Sequence, residues 1–424
     1  MNIEHGSSRR AFLAAGAGAA IAASGGGIVR LARAQVGGAG RTPTRDAYSV
    51  DPNVTYLNHA SLGTTPRVVQ DAFITNYRTL ESNPWLYMWG PAWKGAVEET
   101  HAAAAAFLGV GVNEVAITHD TTEAFNTLAW GLPLGPGDEA LFSSLNHVGA
   151  SRCFRHAAVE RGYTVRSFEF PVKDAPGLSD DDVVDLYARQ IRERTRVLIL
   201  PHVDNVIGLR RPVARIAAAA RERGVEFIAI DGAQAVGMFP VDIAALGVDF
   251  YATSAHKWLQ SPKELGIFYV RAAMQGRLRP LWVTWGQDRW KGTARVYADY
   301  GTRNLPAVLA LRDCFAFQRS LGRDRLETHL RAMRDRLRGL IQGSDRLAWR
   351  SPKTWAQGAS LVMIGVPGRD PGAVFERMYH EHGFVFRAFA GGAAPGLRVS
   401  MHAMNSAGEI DRFVETLERE VAAT

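Results

Sequence analysis

Short apolar runs alternate with stretches of helical periodicity through the middle of the chain, and this alternation restricts the fold more than any other feature. Strand-like runs at Glu139–Ser143, Thr164–Phe170, Arg196–Pro201 and Glu226–Ile230 are separated by helical segments such as Val213–Arg223. Strands that alternate with helices pack as a mostly parallel sheet covered by helices, which makes an α/β fold the expectation. Gly224 stops the helix that precedes the last of these strands, and the strand then ends on Asp231-Gly232. After about residue 300 the pattern changes. A long charged helix is predicted over Leu321–Leu340, a strand over Ser360–Gly365 and a closing helix over Gly408–Glu418, the outline of a smaller α+β domain. Expected boundaries are 51–295 for the large domain and 296–424 for the small one.

The strand ends carry the chemistry. Asp249-Phe-Tyr-Ala-Thr-Ser-Ala-His-Lys257 places a lysine just after an apolar run, beside a serine and a histidine. The chain has 49 Lys plus Arg but only six lysines, so arginine supplies most of the solvated charge and a lysine here is an unusual choice. A partly desolvated lysine amine forms an imine with a carbonyl, which a hydrated ammonium does poorly. Asp231 closes a buried strand at the sheet edge where ligands sit in such folds. A turn-capping aspartate is the commoner fate of an isolated Asp-Gly pair. Val115–Thr118 breaks into His119-Asp120-Thr121-Thr122-Glu123, a helix start with the form of a capping box, whose first-turn amides and two hydroxyls suit a phosphate.

These pieces resemble, in order and spacing, the class V aminotransferase family of fold-type I pyridoxal phosphate enzymes, which includes cysteine desulfurases, selenocysteine lyases, kynureninases and isopenicillin N epimerase. The resemblance runs from about Tyr56 to the C-terminus. It rests on Tyr56-Leu-Asn58-His59, Asp120–Glu123, Asn146-His147, His202–Gly208, Asp231–Gln234, Ser254–Lys257, Gly301-Thr302 and Leu397–Ser400. It implies a fold-type I transferase, pyridoxal 5'-phosphate as cofactor, and Lys257 as the lysine that binds it. Asp231 is then the partner of the pyridine nitrogen and His147 the residue stacked on the ring. Asn205 and Gln234 match contacts to the phenolic oxygen. Thr121, Thr122, Ser254 and His256 match contacts to the phosphate, with Thr302 reaching the phosphate of a neighbouring subunit in a homodimer. Arg398, with Asn58, falls where the family binds the substrate's α-carboxylate, a task that suits a planar guanidinium. The body looks isopenicillin N epimerase-like as well as desulfurase-like. Transamination of an amino acid or amino-acid-derived compound is the default expectation, with epimerisation or C–S or C–C lysis as alternatives, and a non-catalytic exported binding protein as a reading from another class.

Departures from the family pattern are informative. Asp120 stands where glycine often opens the phosphate turn, so its carboxylate is expected to point away. Asn146 and Asp204 replace a common glutamate and serine. No cysteine lies in Gly383–Gly396, where desulfurases carry the sulfur acceptor, and the two cysteines of the chain, Cys153 and Cys314, read as small buried hydrophobes. No histidine cluster has metal-ligand spacing, so no metal is expected.

Ser8-Arg9-Arg10-Ala11-Phe12-Leu13 and the charge-free run after it resemble a twin-arginine export signal, with Ala32-Arg-Ala34 as a cleavage site. Residues 1–34 are therefore expected to engage the Tat machinery and to be removed in a periplasmic or secreted protein, with 35–50 as a linker. The whole chain carries +7; without the four arginines and one glutamate of that segment the excess is about +4. No basic run or aromatic-interleaved basic stripe accompanies it, so nucleic acid is not an expected partner. Asn83–Pro91 and Leu281–Trp290 are rich in tryptophan, and line either a substrate pocket or a buried interface.

Overall fold

The computed structural model describes residues 45–392 and 394–423; the export signal, its cleavage site and most of the linker lie outside them. The strands are β1 (Thr55–Tyr56), β2 (Val115–Thr118), β3 (Glu139–Ser143), β4 (Thr164–Phe168), β5 (Thr195–Pro201), β6 (Phe227–Asp231), β7 (Phe250–Ser254), β8 (Gly266–Val270), β9 (Ala348–Trp349), β10 (Leu361–Gly365), β11 (Phe384–Val385), β12 (Arg387–Phe389) and β13 (Gly396–Ser400). The helices longer than two turns are α1 (Arg67–Ser82), α2 (Lys94–Leu108), α3 (Thr121–Gly131), α4 (Val148–Arg161), α5 (Asp180–Gln190), α6 (Val213–Glu222), α7 (Leu305–Leu321), α8 (Arg323–Gln342), α9 (Pro371–His380) and α10 (Ala407–Ala422).

Seven strands form the large sheet in the order β2-β8-β7-β6-β5-β3-β4. Every pair from β7 to β4 is parallel, and β8 alone opposes the others, pairing antiparallel with both β7 and β2. Side-chain alternation splits each central strand between two cores. Leu198 and Leu200 of β5 and Ile228 and Ile230 of β6 join one apolar cluster, while Val197, Ile199, Phe227 and Ala229 join the other. Burial on both faces is why these strands read as continuous apolar runs, and each such side chain contributes about 1.5–3 kcal/mol. The α/β, mostly parallel architecture expected from the sequence is the one observed.

A four-stranded antiparallel sheet, β12-β13-β10-β9, follows, with α8, α9 and α10 packed over it. The first described segment is stitched to it. β1 pairs with β11, the Leu57 carbonyl accepts from the Ser400 amide, and Ala60 N–H donates to Ser400 Oγ.

The helix expected over Leu321–Leu340 is α8, two residues further on at each end, and a helix the sequence pattern did not give, α7, precedes it. α7 ends at Leu321, Gly322 takes φ +74°, and α8 begins at Arg323. A positive φ suits glycine and breaks the helix there. α7 packs against α1 and α2 and is buried nearly all round, so it lacks the polar stripe that makes an amphipathic helix recognisable.

Candidate active site

The carboxyl ends of β2, β3, β5, β6 and β7 point at one crevice, the usual ligand position in an open parallel sheet. Segments from the N-terminal stretch and the small sheet close it into a cavity of about 480 Å3. Thr121, Thr122, His147, Asn205, Asp231, Gln234, Ser254, His256, Lys257 and Arg398 all line this cavity. Asn58 stands behind it, its Oδ1 accepting from Arg398 Nη2 at 3.2 Å. Thr302 does not reach it. That residue is exposed and stands between Gly301 and Arg303, which border a second cavity.

Lys257 follows β7 on a tight turn whose backbone is held from several sides. Trp258 Nε1 donates to Gln234 Oε1 at 2.7 Å, and the Trp258 carbonyl accepts from Gln318 and lies 2.9 Å from His402 Nε2. Gly63 N–H donates to the His256 carbonyl, and a Cβ on Gly63 would stand 1.9 Å from the Lys257 carbonyl oxygen. Only glycine fits where the N-terminal segment crosses the lysine turn. Burial lowers the Lys257 pKa; Asp231 opposes that shift and Arg398 adds to it. The amine is therefore easier to deprotonate than an exposed one.

Asp231 ends β6 both as a turn cap and as a cavity group. Its Oδ1 accepts from Ala233 N–H at 3.0 Å, and it lines the same cavity as Lys257, on which its charge acts. His147 caps α4, with Nδ1 accepting from Gly149 N–H at 3.1 Å. Burial pushes the His147 pKa down, Asp231 opposes this, and Lys257, Arg398 and Arg387 add to it, so the ring is held neutral and apolar enough to stack. Gln234 has its carbonyl on Trp258 and one N–H on the Ala60 carbonyl, so its main visible task is to fix the lysine turn.

At the other end, Ser254 Oγ lies 2.8 Å from Thr121 Oγ1 and 3.2 Å from the Thr121 amide, at the start of α3. His256 Nδ1 is buried with no hydrogen-bond partner, and burial, then the nearby Lys257, pushes its pKa down to about 4. The predicted capping box is only half formed. Asp120 Oδ1 accepts from Glu123 N–H at 3.0 Å, but the Glu123 carboxylate turns to the amide and ring of His119 and to Trp282 Nε1. Asp120 does not point away as expected: it lines the cavity, one oxygen held by the start of α3, and its charge opposes the lowering of the Lys257 pKa.

Two other departures from the family pattern have structural tasks. Asn146 Oδ1 accepts from the Ser143 amide and hydroxyl while its NH2 donates to Ile199 O, which pins the turn before His147. Asp204 is fully buried, accepts from the amides of Val206, Ile207 and Leu209, and lies 3.7 Å from Arg211, which shapes the loop presenting Asn205.

Arg398, on β13, is 3 % exposed, yet its acceptors are all uncharged: the Asn205 carbonyl, Asn58 Oδ1 and Ser61 Oγ. Its Nε has no partner. Sequence reasoning missed Ser61, Arg387 and Phe389, which also line this end. Their signal is tertiary, since it depends on how β12 pairs with β13.

Residues 55–413 match the family model described as Aminotransferase class-V. The chain belongs to the class-V aminotransferase family. It is 31% identical over 395 residues to isopenicillin N epimerase of Amycolatopsis lactamdurans, covering 88% of this chain and 97% of that protein. It is 27% identical over 396 residues to a probable cysteine desulfurase of Halobacterium salinarum, covering 86% and 91%. Among solved structures, the apo cysteine desulfurase of Thermococcus onnurineus NA1 superposes with a TM-score of 0.80 at 21% identity, covering 91% of this chain and 99% of that one. A mutant of C-DES with glycine covalently linked to its PLP cofactor gives a TM-score of 0.80 at 24% identity, covering 89% and 99%. These neighbours share the fold-type I architecture. The cofactor of the class-V family is pyridoxal phosphate, and the cavity fits it: an enclosed lysine, a carboxylate whose charge acts on it, a helix N-terminus with two hydroxyls bonded to each other, and an orphaned ring nitrogen on His256.

Proposed function

We propose that the protein is a pyridoxal phosphate enzyme that moves the α-proton of an amino acid, with transamination as its default reaction. The observation that carries this reading is the single cavity holding an enclosed lysine amine, a carboxylate whose charge acts on it and a buried arginine whose acceptors are all neutral. The last of these leaves an anion site open. When bound, the cofactor supplies an electron sink for charge developing at the amino acid's α-carbon. Asp231 holds a proton on the ring nitrogen, which strengthens that sink. Thr121, Thr122, Ser254 and His256 would hold the phosphate, and His147 would stack on the ring. Arg398 orients the substrate by its α-carboxylate, with Asn58 and Ser61 fixing the guanidinium. Lys257 Nζ takes the α-proton and returns it, its lowered pKa making the free amine more accessible than that of an exposed lysine.

Epimerisation is the second reading, favoured by the 31% identity to an epimerase over nearly its whole length. Sulfur transfer through a cysteine of this chain is disfavoured. Burial pushes the Cys153 thiol up to about 12 and the Cys314 thiol up as well, so neither offers a thiolate. Reconstituted protein incubated with an amino-acid panel in D2O separates the cases. Keto-acid release that depends on an added acceptor supports transamination, and α-deuteration with inversion and no keto-acid release supports epimerisation. No turnover with any amino acid overturns the enzyme reading in favour of a binding protein.

A homodimer in which Thr302 serves the neighbouring site, and export through the Tat machinery to the periplasm or beyond, belong to the same proposal. Light scattering tests the first. Fractionation of cells carrying the full chain and its Arg9→Lys, Arg10→Lys variant tests the second.

A further inference from the structure

The cavity carries one more cation than a simple amino acid requires. Arg387 on β12 and Arg398 on β13 are directly paired residues of an antiparallel ladder, so both side chains leave the same face of the small sheet, and both line the lysine cavity. Directly opposed residues have Cβ atoms about 5 Å apart, and like charges in that position repel. Phe389, two residues along β12 and hence on the same face, has its ring centroid 5.3 Å from the Arg387 guanidinium carbon and 5.6 Å from that of Arg398. The ring offers each cation a π face but no charge to balance it.

No carboxylate of the described residues is bonded to either arginine, although the charge of Asp204 partly offsets the field of Arg387 at Arg398. Among the described residues neither arginine forms a salt bridge, and the Arg398 acceptors are neutral. Of the two acids lining the cavity, Asp120 is turned to α3 and Asp231 to Ala233 N–H and Lys257. The nearby Asp204 is taken by three backbone amides and Arg211. Burial and then the field of Arg387 push the Arg398 pKa down to about 10, with Asp204 and Tyr56 opposing the shift.

We infer that the substrate is a dicarboxylic amino acid, whose α-carboxylate binds Arg398 and whose side-chain carboxylate binds Arg387. The inference rests on the amino-acid reading above and goes further by naming the substrate class. Bidentate pairing with a carboxylate uses the planar fork of each guanidinium, and two anions in place of one remove the cross-strand repulsion.

Calorimetric titration of the cofactor-loaded enzyme with isosteric pairs tests it: aspartate against asparagine, glutamate against glutamine, and the next higher homologue against its side-chain amide. One acid is expected to bind roughly 10- to 100-fold more tightly than its amide, the range of a charge-assisted hydrogen-bonded pair. Arg387→Met should erase that ratio by weakening the acid and leaving the amide within about 3-fold, and Arg387→Lys should restore part of it. Circular dichroism melts confirm that each variant is folded. Equal binding of acid and amide in all three pairs overturns the inference while leaving the amino-acid reading intact. Equal weakening of acid and amide in Arg387→Met overturns it too, since both arginines would then hold a single carboxylate. Cofactor loading with no heat from any amino acid sinks the inference and the amino-acid reading together.

Discussion

Two cavities of similar size differ in the groups that line them. The lysine cavity holds about 480 Å3 and the tryptophan-lined cavity about 500 Å3. In the second, Arg295 is paired with Glu98 at 2.7 Å and lies 3.6 Å from the Trp290 ring centroid, Arg289 lies over Trp285 and Trp290, and Asp299 accepts from Trp290 Nε1. In the first, the cross-strand partners Arg387 and Arg398 form no salt bridge among the described residues, Arg398 being buried and Arg387 exposed. Volume therefore does not distinguish a binding site here, and neither does cation content, since Lys94, Arg289 and Arg303 also line the second cavity; the enclosed lysine and the N-terminus of α3 belong to the first alone of the two. The tryptophan-rich segments line the second cavity and not the lysine cavity of the same chain, and Trp85, Trp89 and Trp285 remain exposed.

The sharpest way to break the comparison is Lys257→Ala, which should lower turnover by at least ~10^3-fold and abolish borohydride fixation of the cofactor. Arg398→Met should raise the amino-acid KM about 100-fold. An Arg398→Met enzyme with unchanged KM would remove the case for a carboxylate clamp.

Acid should act on the second cavity through His101, whose pKa burial pushes down to about 4, the Arg295 charge adding to it. The unfolded histidine titrates near 6.5, so between these values the unfolded chain binds a proton that the folded chain does not. The stabilisation is complete above pH 6.5 and declines as pH falls toward 4, by up to ~1.4 kcal/mol per pH unit for this residue. Urea unfolding of wild type and His101→Gln at pH 8, 6.5 and 5 should show the slope reduced in the variant.

Smaller effects should carry opposite signs in the two cavities. Glu98→Gln removes the partner of a mostly buried Arg295 and should cost about 1 kcal/mol, lowering Tm. Arg387→Met relieves a like-charge pair and should gain roughly 0.2–1 kcal/mol while losing affinity. A destabilised Arg387→Met would show that its charge is balanced after all.

Much of the first cavity's machinery was legible because local rules place it. Asp231 and Lys257 stand at strand ends, and Thr121 and Thr122 open a helix, so strand-turn chemistry marks each one. What the pattern could not give was tertiary. Arg387 became visible only once β12 was registered against β13, and Asn146 and Asp204 looked like irregularities until their buried amide partners were placed. The capping box was misread because Glu123 found a better partner one residue earlier, in His119. Helix α7 was missed because burial on most of its faces weakens the amphipathic period, and the charged α8 next to it carries the clearer pattern.

The stitching of Asn58–Gly63 to β13 and to the lysine turn also bears on the order of synthesis. Ala60 and Ser400 are bonded across 340 residues, and Asn58 braces Arg398 across the same span. A ribosome that has delivered only the first 380 residues has already made the lysine and the phosphate turn, but not the arginines that would recognise an amino acid. The nascent chain therefore acquires its cofactor-side groups well before its substrate-side groups, and a prematurely terminated product would keep the first set without the means to select what reacts there.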